Sequence, residues 1–207
     1  PSGNANFMWV QHFAHHLAPN GLAGFVMPNG ALAVSGKEGE LRKKLIEEDL
    51  VEVIISCPSK LFYNVSLPVS LWFLAKNKGG DRFRKRSGET LFIDARDTFE
   101  QISRKQVVFN PEHIEKISNT VRAWRGEKDA GKYEDVSGFC KSAAQDEIKK
   151  NGYVLTPGRY VGLADVEDDG VSFEEKMEKL SSELRDAFSK GRDLEKEIEK
   201  NLKELGF

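Results

Sequence analysis

The strongest constraint on how this chain folds lies in its C-terminal end. Phe173, Met177, Leu180, Leu184, Ala187, Gly191, Leu194, Ile198, Asn201 and Leu205 recur with strict four-three spacing. That spacing is a heptad seam, sustained for about four and a half repeats. It predicts one long helix over 171–207, roughly 50 Å from end to end at 1.5 Å per residue. A helix that long and apolar on a single face usually buries its seam against another helix. Gly191 and Asn201 in the seam disfavour a symmetric zipper and suit a heteromeric bundle. The simpler alternative is that the seam packs back on the chain's own body.

Ahead of the tail, apolar runs and turn residues alternate. Asn4 to Leu17 places Phe7, Val10, Phe13, Ala14 and Leu17 on one helical stripe, and Pro19-Asn20-Gly21 ends it. Leu22 to Met27 reads as a short buried strand closed by Pro28-Asn29-Gly30. Gly36 to Asp49 reads as a helix, with Leu41, Leu45 and Ile46 inward and Arg42, Lys43 and Lys44 mostly outward. Two strands follow, Leu50 to Ser56 and Pro68 to Ala75, rich in β-branched and aromatic residues. The short link between them predicts an antiparallel hairpin. A parallel β-α-β unit followed by an antiparallel edge hairpin is the back half of a doubly wound α/β domain.

Further along, Thr90 to Asp94 is one more strand. Phe99 to Arg125 reads as a mixed polar helix region with a helix start at Asn110-Pro111, and Gly126 to Gly138 as a charged surface loop. Ser142 to Lys150 reads as helical, leading into Tyr153-Val154-Leu155-Thr156-Pro157-Gly158-Arg159-Tyr160-Val161. Tyr153, Arg159 and Tyr160 are candidate anchors for the tail.

Composition excludes several classes. The 207 residues are 39% hydrophobic and 31% charged, enough for a core. A formal net charge of −2 leaves no global basic field to grip nucleic acid. The charge is uneven: Asp165 to Phe207 holds 14 acidic and 8 basic residues, roughly −6, against about +4 elsewhere. No apolar run reaches the roughly 20 residues of a membrane span, and no signal peptide opens the chain. Cys57 and Cys140 have no metal spacing, so a reducing cytoplasm is expected. His12 and His16 share a helical face without a third ligand, and no metal is expected. Asp165, Glu167, Asp168 and Asp169 lack calcium-loop spacing and read as a solvated linker.

Three stretches together carry a resemblance. They are Asn4-Ala5-Asn6-Phe7-Met8-Trp9-Val10-Gln11-His12 leading into GLAGFVMPNG, the run GKEGELRKKLIEEDLVEVIISCPSKLFYNVSLPVSLWFLAKNK, and YVLTPGRYVG. In this order they closely resemble the C-terminal half of the modification subunit of type I restriction-modification systems, a family of N6-adenine DNA methyltransferases. The resemblance implies residues 1–98 as the back half of a Rossmann-like methyltransferase domain, 99–170 as an α-rich extension, and 171–207 as a docking helix. It implies S-adenosylmethionine as methyl donor and DNA, a specificity subunit and a restriction subunit as partners. Phe173, Met177, Leu180, Leu184, Leu194 and Ile198 would dock on the specificity subunit.

The chemistry needs a flipped base held by stacking, and acceptors facing its weakly nucleophilic amine. The family's Asn-Pro-Pro-Phe loop and Gly-rich donor turn do not occur in this sequence. The resemblance places both upstream, so no catalytic residue is expected here and the chain alone should be inactive. Phe62 matches the position of the family's base-stacking aromatic, with Tyr63 as second candidate. Pro28 and Asn29 end a strand at the carboxyl edge, where open α/β sheets place ligands. Arg82, Arg84, Lys85 and Arg86 are candidate phosphate contacts on a Gly-rich loop. Each has a simpler reading, as core plug, turn former or solubilising loop. The rival function is a non-catalytic scaffold on a degenerate methyltransferase fold. An unpaired sheet edge or the tail seam also offers a route to self-association.

Overall fold

The apolar runs of the first two-thirds of the chain enter one sheet. The computed structural model describes residues 5–80, 82–163 and 172–204. The chain divides into two compact units, Pro1–Asp165 and Val166–Phe207. In the first, α1 (Asn6–His16), β1 (Leu22–Pro28), α2 (Gly36–Glu47), β2 (Val51–Ser56), β3 (Val69–Ala75) and β4 (Glu89–Asp94) follow in order. Then come β5 (Glu100–Ser103), β6 (Gln106–Val108), α3 (Pro111–Arg125), β7 (Cys140–Ala144) and α4 (Gln145–Lys150).

The main sheet has the order β1-β3-β2-β4-β7. β2 and β4 are parallel, and β3 is antiparallel to both β1 and β2. β1 and β2 therefore run the same way, as a β-α-β crossover requires, with β3 inserted between them. The antiparallel hairpin is present, but it sits inside the sheet rather than at its edge. The reason is in the strand itself: Val69, Ser70, Trp72, Leu74 and Ala75 are all buried, so β3 needs neighbours on both sides. β1 takes the edge instead. It was expected to be buried, yet Val26 is 50% exposed, and its burial alternates along the strand.

Helices cover both faces. On one, Trp72, Leu74, Ile54 and Phe92 pack against Phe7 and Val10 of α1, Leu45 and Ile46 of α2, and Ile148 of α4. On the other, Val53, Ile55, Leu91 and Ile93 pack against Trp124 of α3 and Phe139. α3 starts as its sequence says. The Asn110 side chain accepts from His113 N at 2.9 Å, Pro111 fills the first turn, and Gly126 ends the helix with φ 74°.

Three sequence expectations change. The region after Phe99 begins with a two-stranded antiparallel ribbon, β5–β6, before α3. Ser142 lies in β7, which pairs antiparallel with β4, so helix begins only at Gln145. Residues 99–163 thus carry strands as well as helices. Arg42, expected outward, is buried and donates to the carbonyls of Val34 at 2.7 Å, Tyr153 at 2.8 Å and Ala31 at 3.2 Å. Those carbonyls lie outside the strand ladders, and a guanidinium fork satisfies three at once.

The segment YVLTPGRYVG crosses the sheet and closes the first core. Leu155 N donates to Leu32 O at 2.9 Å, and Gly138 N donates to Val161 O at 2.8 Å. A Cβ on Gly158 would stand 2.8 Å from Arg96 Nη2 and 3.3 Å from Asp94 Oδ2, so a larger residue there would push the arginine tip aside.

The second unit contains α5 (Phe173–Glu204). Ser172 and Glu175 form a reciprocal cap, with Glu175 N donating to Ser172 Oγ at 3.2 Å and Ser172 N to Glu175 Oε2 at 3.3 Å. The seam residues Phe173, Met177, Leu180, Leu184, Leu194 and Ile198 are exposed. Phe188 and Leu202, outside the strict heptad, are exposed beside them and widen the stripe. Asn4, Leu205 and the acidic run Asp165 to Asp169 lie outside the described residues.

Candidate nucleic-acid interface

The shared direction of β1, β2 and β4 brings their carboxyl ends, Pro28, Ser56 and Asp94, to one edge of the sheet. Open α/β sheets place their ligands at such an edge. A cleft of about 550 Å³ opens there, lined by Cys57, Pro58, Lys60, Pro68, Arg96 and Phe99 among others. Cys57 forms part of its wall, and burial pushes the thiol up to about 11. The Arg96 guanidinium is held on the Asp94 carboxylate by bonds of 2.6 to 3.1 Å, which raise its own pKa.

The loop joining β2 to β3 stands over the same edge. Phe62 and Val65 form an isolated bridge, with Val65 N donating to Phe62 O at 3.4 Å. This tight turn throws its aromatics outward: Phe62 is 44% exposed and Tyr63 is 88% exposed. Neither is a core plug. A second concavity of about 400 Å³ is lined by Lys60, Phe62, Tyr63, Ser66, Arg104 and Lys105, among others. Pro28 and Asn29 reach this edge too, where Asn29 N donates to Pro68 O at 3.4 Å. The buried Asn29 Oδ1 has no hydrogen-bond partner among the described residues.

The Arg82–Arg86 loop is placed elsewhere. It follows β3 and precedes β4, so it lies at the opposite edge of the sheet. Two of its cations are consumed inside the protein, which corrects their reading as phosphate contacts. Arg86 is buried and pairs with the buried Glu52 at 2.8 Å. Arg84 pairs with Glu89 at 2.6 Å and also donates to Trp124 O. Arg82 and Lys85 remain exposed. Glu52 is fully buried, where an uncompensated charge is costly, so the arginines that neutralise it are not free for an outside ligand.

Sequence reasoning missed four cations at the carboxyl edge: Lys60, Arg96, Arg104 and Lys105. The available signal was Ser103-Arg104-Lys105-Gln106, a polar turn between two short β-branched runs.

An exposed aromatic turn thus lies beside Lys60, Arg104 and Lys105 at the carboxyl edge of a partly antiparallel α/β sheet, and aromatics interleaved with cations are the chemistry that nucleic-acid surfaces use. The family model described as N-6 DNA Methylase matches residues 1–169, and the chain belongs to that family. It is 51% identical over its full length to the type I restriction enzyme MjaIX methylase subunit of Methanocaldococcus jannaschii, covering 36% of that protein. It is 47% identical over its full length to the HindI methylase subunit of Haemophilus influenzae, covering 45% of it. A type I restriction-modification methyltransferase subunit from Streptococcus thermophilus superposes with a TM-score of 0.65 at 33% identity, over 78% of this chain and 31% of that one. The chain thus spans less than half the length of these relatives.

Proposed function

We propose that this chain carries the target-base side and the subunit-docking helix of a DNA adenine-N6 methyltransferase subunit in a type I restriction-modification complex. The exposed Phe62–Tyr63 turn at the carboxyl edge carries this reading, within a chain of the N-6 DNA methylase family. Phe62 stacks on the flipped adenine, and Tyr63 and Asn29 border the opening. The partners are DNA, a specificity subunit held by the α5 seam, and a restriction subunit in the full assembly. No described helix is long and apolar enough to cross a membrane; the proposed complex acts on DNA, and the cytoplasm is proposed on that ground alone.

The methyl donor of the intact enzyme is S-adenosylmethionine. The residues present do not fit it as a donor site. β1, β2 and β4 are followed by Asn29-Gly30, Cys57-Pro58 and Ala95-Arg96, and none of these is a Gly-rich turn. Asp94, the carboxylate ending β4, is taken by Arg96. No donor or methyl-transfer step is therefore assigned to these side chains, and their contribution is to bind and orient the base.

The test is Phe62→Ala in the full-length subunit. Stacking of one base on an aromatic ring is worth about 1–3 kcal/mol. Methyl transfer should therefore fall about fivefold to 150-fold, while S-adenosylmethionine binding holds at the wild-type value. Wild-type turnover in the variant would make Phe62 a structural residue.

A further inference from the structure

We propose that the tip of the β5–β6 ribbon, Arg104 and Lys105, is a clamp for DNA phosphates beside the Phe62–Tyr63 turn; this rests on the reading of that turn as the target-base side. The ribbon is too small to be stable alone, because a single two-stranded hairpin is marginal in water. Besides the burial of Val107, one residue of the aromatic loop ties it down at two points. Lys60 O accepts from Val107 N at 3.1 Å, and Lys60 Nζ donates to Arg104 O at 2.9 Å. Lys60 adopts φ 62°, a left-handed backbone conformation that is unfavourable for a residue with a side chain. A residue held in such a conformation marks a place where the surrounding structure fixes geometry. The fixed quantity here is the distance between the basic tip and the stacking turn.

Charge supplies the second argument. The concavity between tip and turn is lined by Lys60, Arg104 and Lys105, and by no carboxylate. Arg104 and Lys105 are exposed, and neither forms an ion pair among the described residues. Arg84, Arg86 and Arg125 at the other edge are all neutralised by Glu52 or Glu89. Like charges gathered without counter-ions repel, and an arriving polyanion relieves that repulsion. Exposed aromatics between the cations favour a nucleic acid over an acidic protein, since bases stack where carboxylates do not.

The tip is read by the salt dependence of binding. Each phosphate neutralised contributes about 0.9 to the slope of log K against log salt. The full-length protein is titrated with a fluorescent DNA duplex at several salt concentrations. Arg104→Ala with Lys105→Ala should weaken binding to all sequences alike and lower the slope by about two. Arg104→Lys with Lys105→Arg should restore it. Lys128→Ala with Lys150→Ala removes the same charge from exposed positions outside the carboxyl edge and should leave the slope near wild type. An unchanged slope in the tip variant, or an equal loss in both alanine pairs, overturns the clamp and leaves the base-side reading standing. A wild-type protein with no salt-dependent DNA binding overturns that reading as well.

Discussion

The Arg86 guanidinium and the Glu52 carboxylate, both buried, meet at 2.8 Å where β2 begins, and Arg125 holds the second carboxylate oxygen at 2.6 Å. Two cations on one buried anion make Glu52 the keystone of this end of the sheet. Removing one member of a buried pair leaves an uncompensated charge and costs about 3–5 kcal/mol. Glu52→Gln, which keeps the shape, should lower the unfolding free energy by about that amount. Urea unfolding of the full-length protein measures it, with a shifted midpoint at unchanged slope. A midpoint equal to wild type would show that the arginines find other partners.

The neighbouring Glu89 predicts a response to acid. The hydrogen bond from Arg84 holds its carboxyl below the ordinary carboxylate range, against the opposing effect of burial. The folded protein therefore binds its proton less readily than the unfolded chain. Glu89 contributes full stability above the ordinary carboxylate range, and that contribution is lost as pH falls through it toward the depressed value. Arg84→Gln should flatten the decline of stability with acidity. Thermal melts across the acid range test this, and identical profiles for variant and wild type would remove the pair from the acid response.

These two clusters show where sequence reading stops. β2 and β3 are legible because both faces of each are largely buried, so apolar residues fill their runs apart from Glu52, Ser56 and Ser70. α3 is legible from Asn110 and Pro111, and α5 from its seam, because caps and heptads are local signals. β7 reads Cys140-Lys141-Ser142-Ala143-Ala144, with no β-branched residue, and becomes a strand because β4 needs an edge partner. Arg42 and Arg125 look like surface cations, yet Arg42 reaches Tyr153, 111 residues away, besides the nearer Val34 and Ala31, and Arg125 pairs with Glu52, 73 residues away. No local window contains such a pair. The same holds for YVLTPGRYVG, whose Tyr160 ring lies on Phe92 with centroids 3.9 Å apart and planes 6° from parallel. At the candidate site, only the matching family position singles out Phe62 in the sequence. Arg104 and Lys105 were missed because their significance depends on where a short ribbon docks.

The thiols supply a probe of the carboxyl edge. Burial pushes Cys57 up to about 11 and moves Cys140 upward as well. A thiol is nucleophilic as the thiolate, so both should resist iodoacetamide near neutral pH in the native protein. Both should react once denaturant unfolds the chain. Peptide mass spectrometry reads each site separately. Fast native labelling at Cys57 would mean that the cleft wall opens, and that the cleft is larger than 550 Å³ in solution.

The last expectation concerns α5. Its 32 residues bear an apolar stripe in which Leu184 is 54% exposed, with Phe188 and Leu194 each 59% exposed. Charged side chains occupy its other faces, so the stripe gains stability when another helix covers it. In the proposed complex that cover is the specificity subunit. Replacing Leu184 and Leu194 with Asp loses two apolar contacts and places two charges in the seam. The lost side chains alone are worth about 2 kcal/mol each or more. Together they should weaken association about 700-fold or more. The first unit contributes none of these residues, so its melting transition should be unchanged. Co-purification of the subunits over a salt series gives the readout. Retention of the doubly substituted protein at the wild-type level would assign the docking surface to another face. A collapse of the melting transition together with lost association would instead show that the seam serves the chain's own fold.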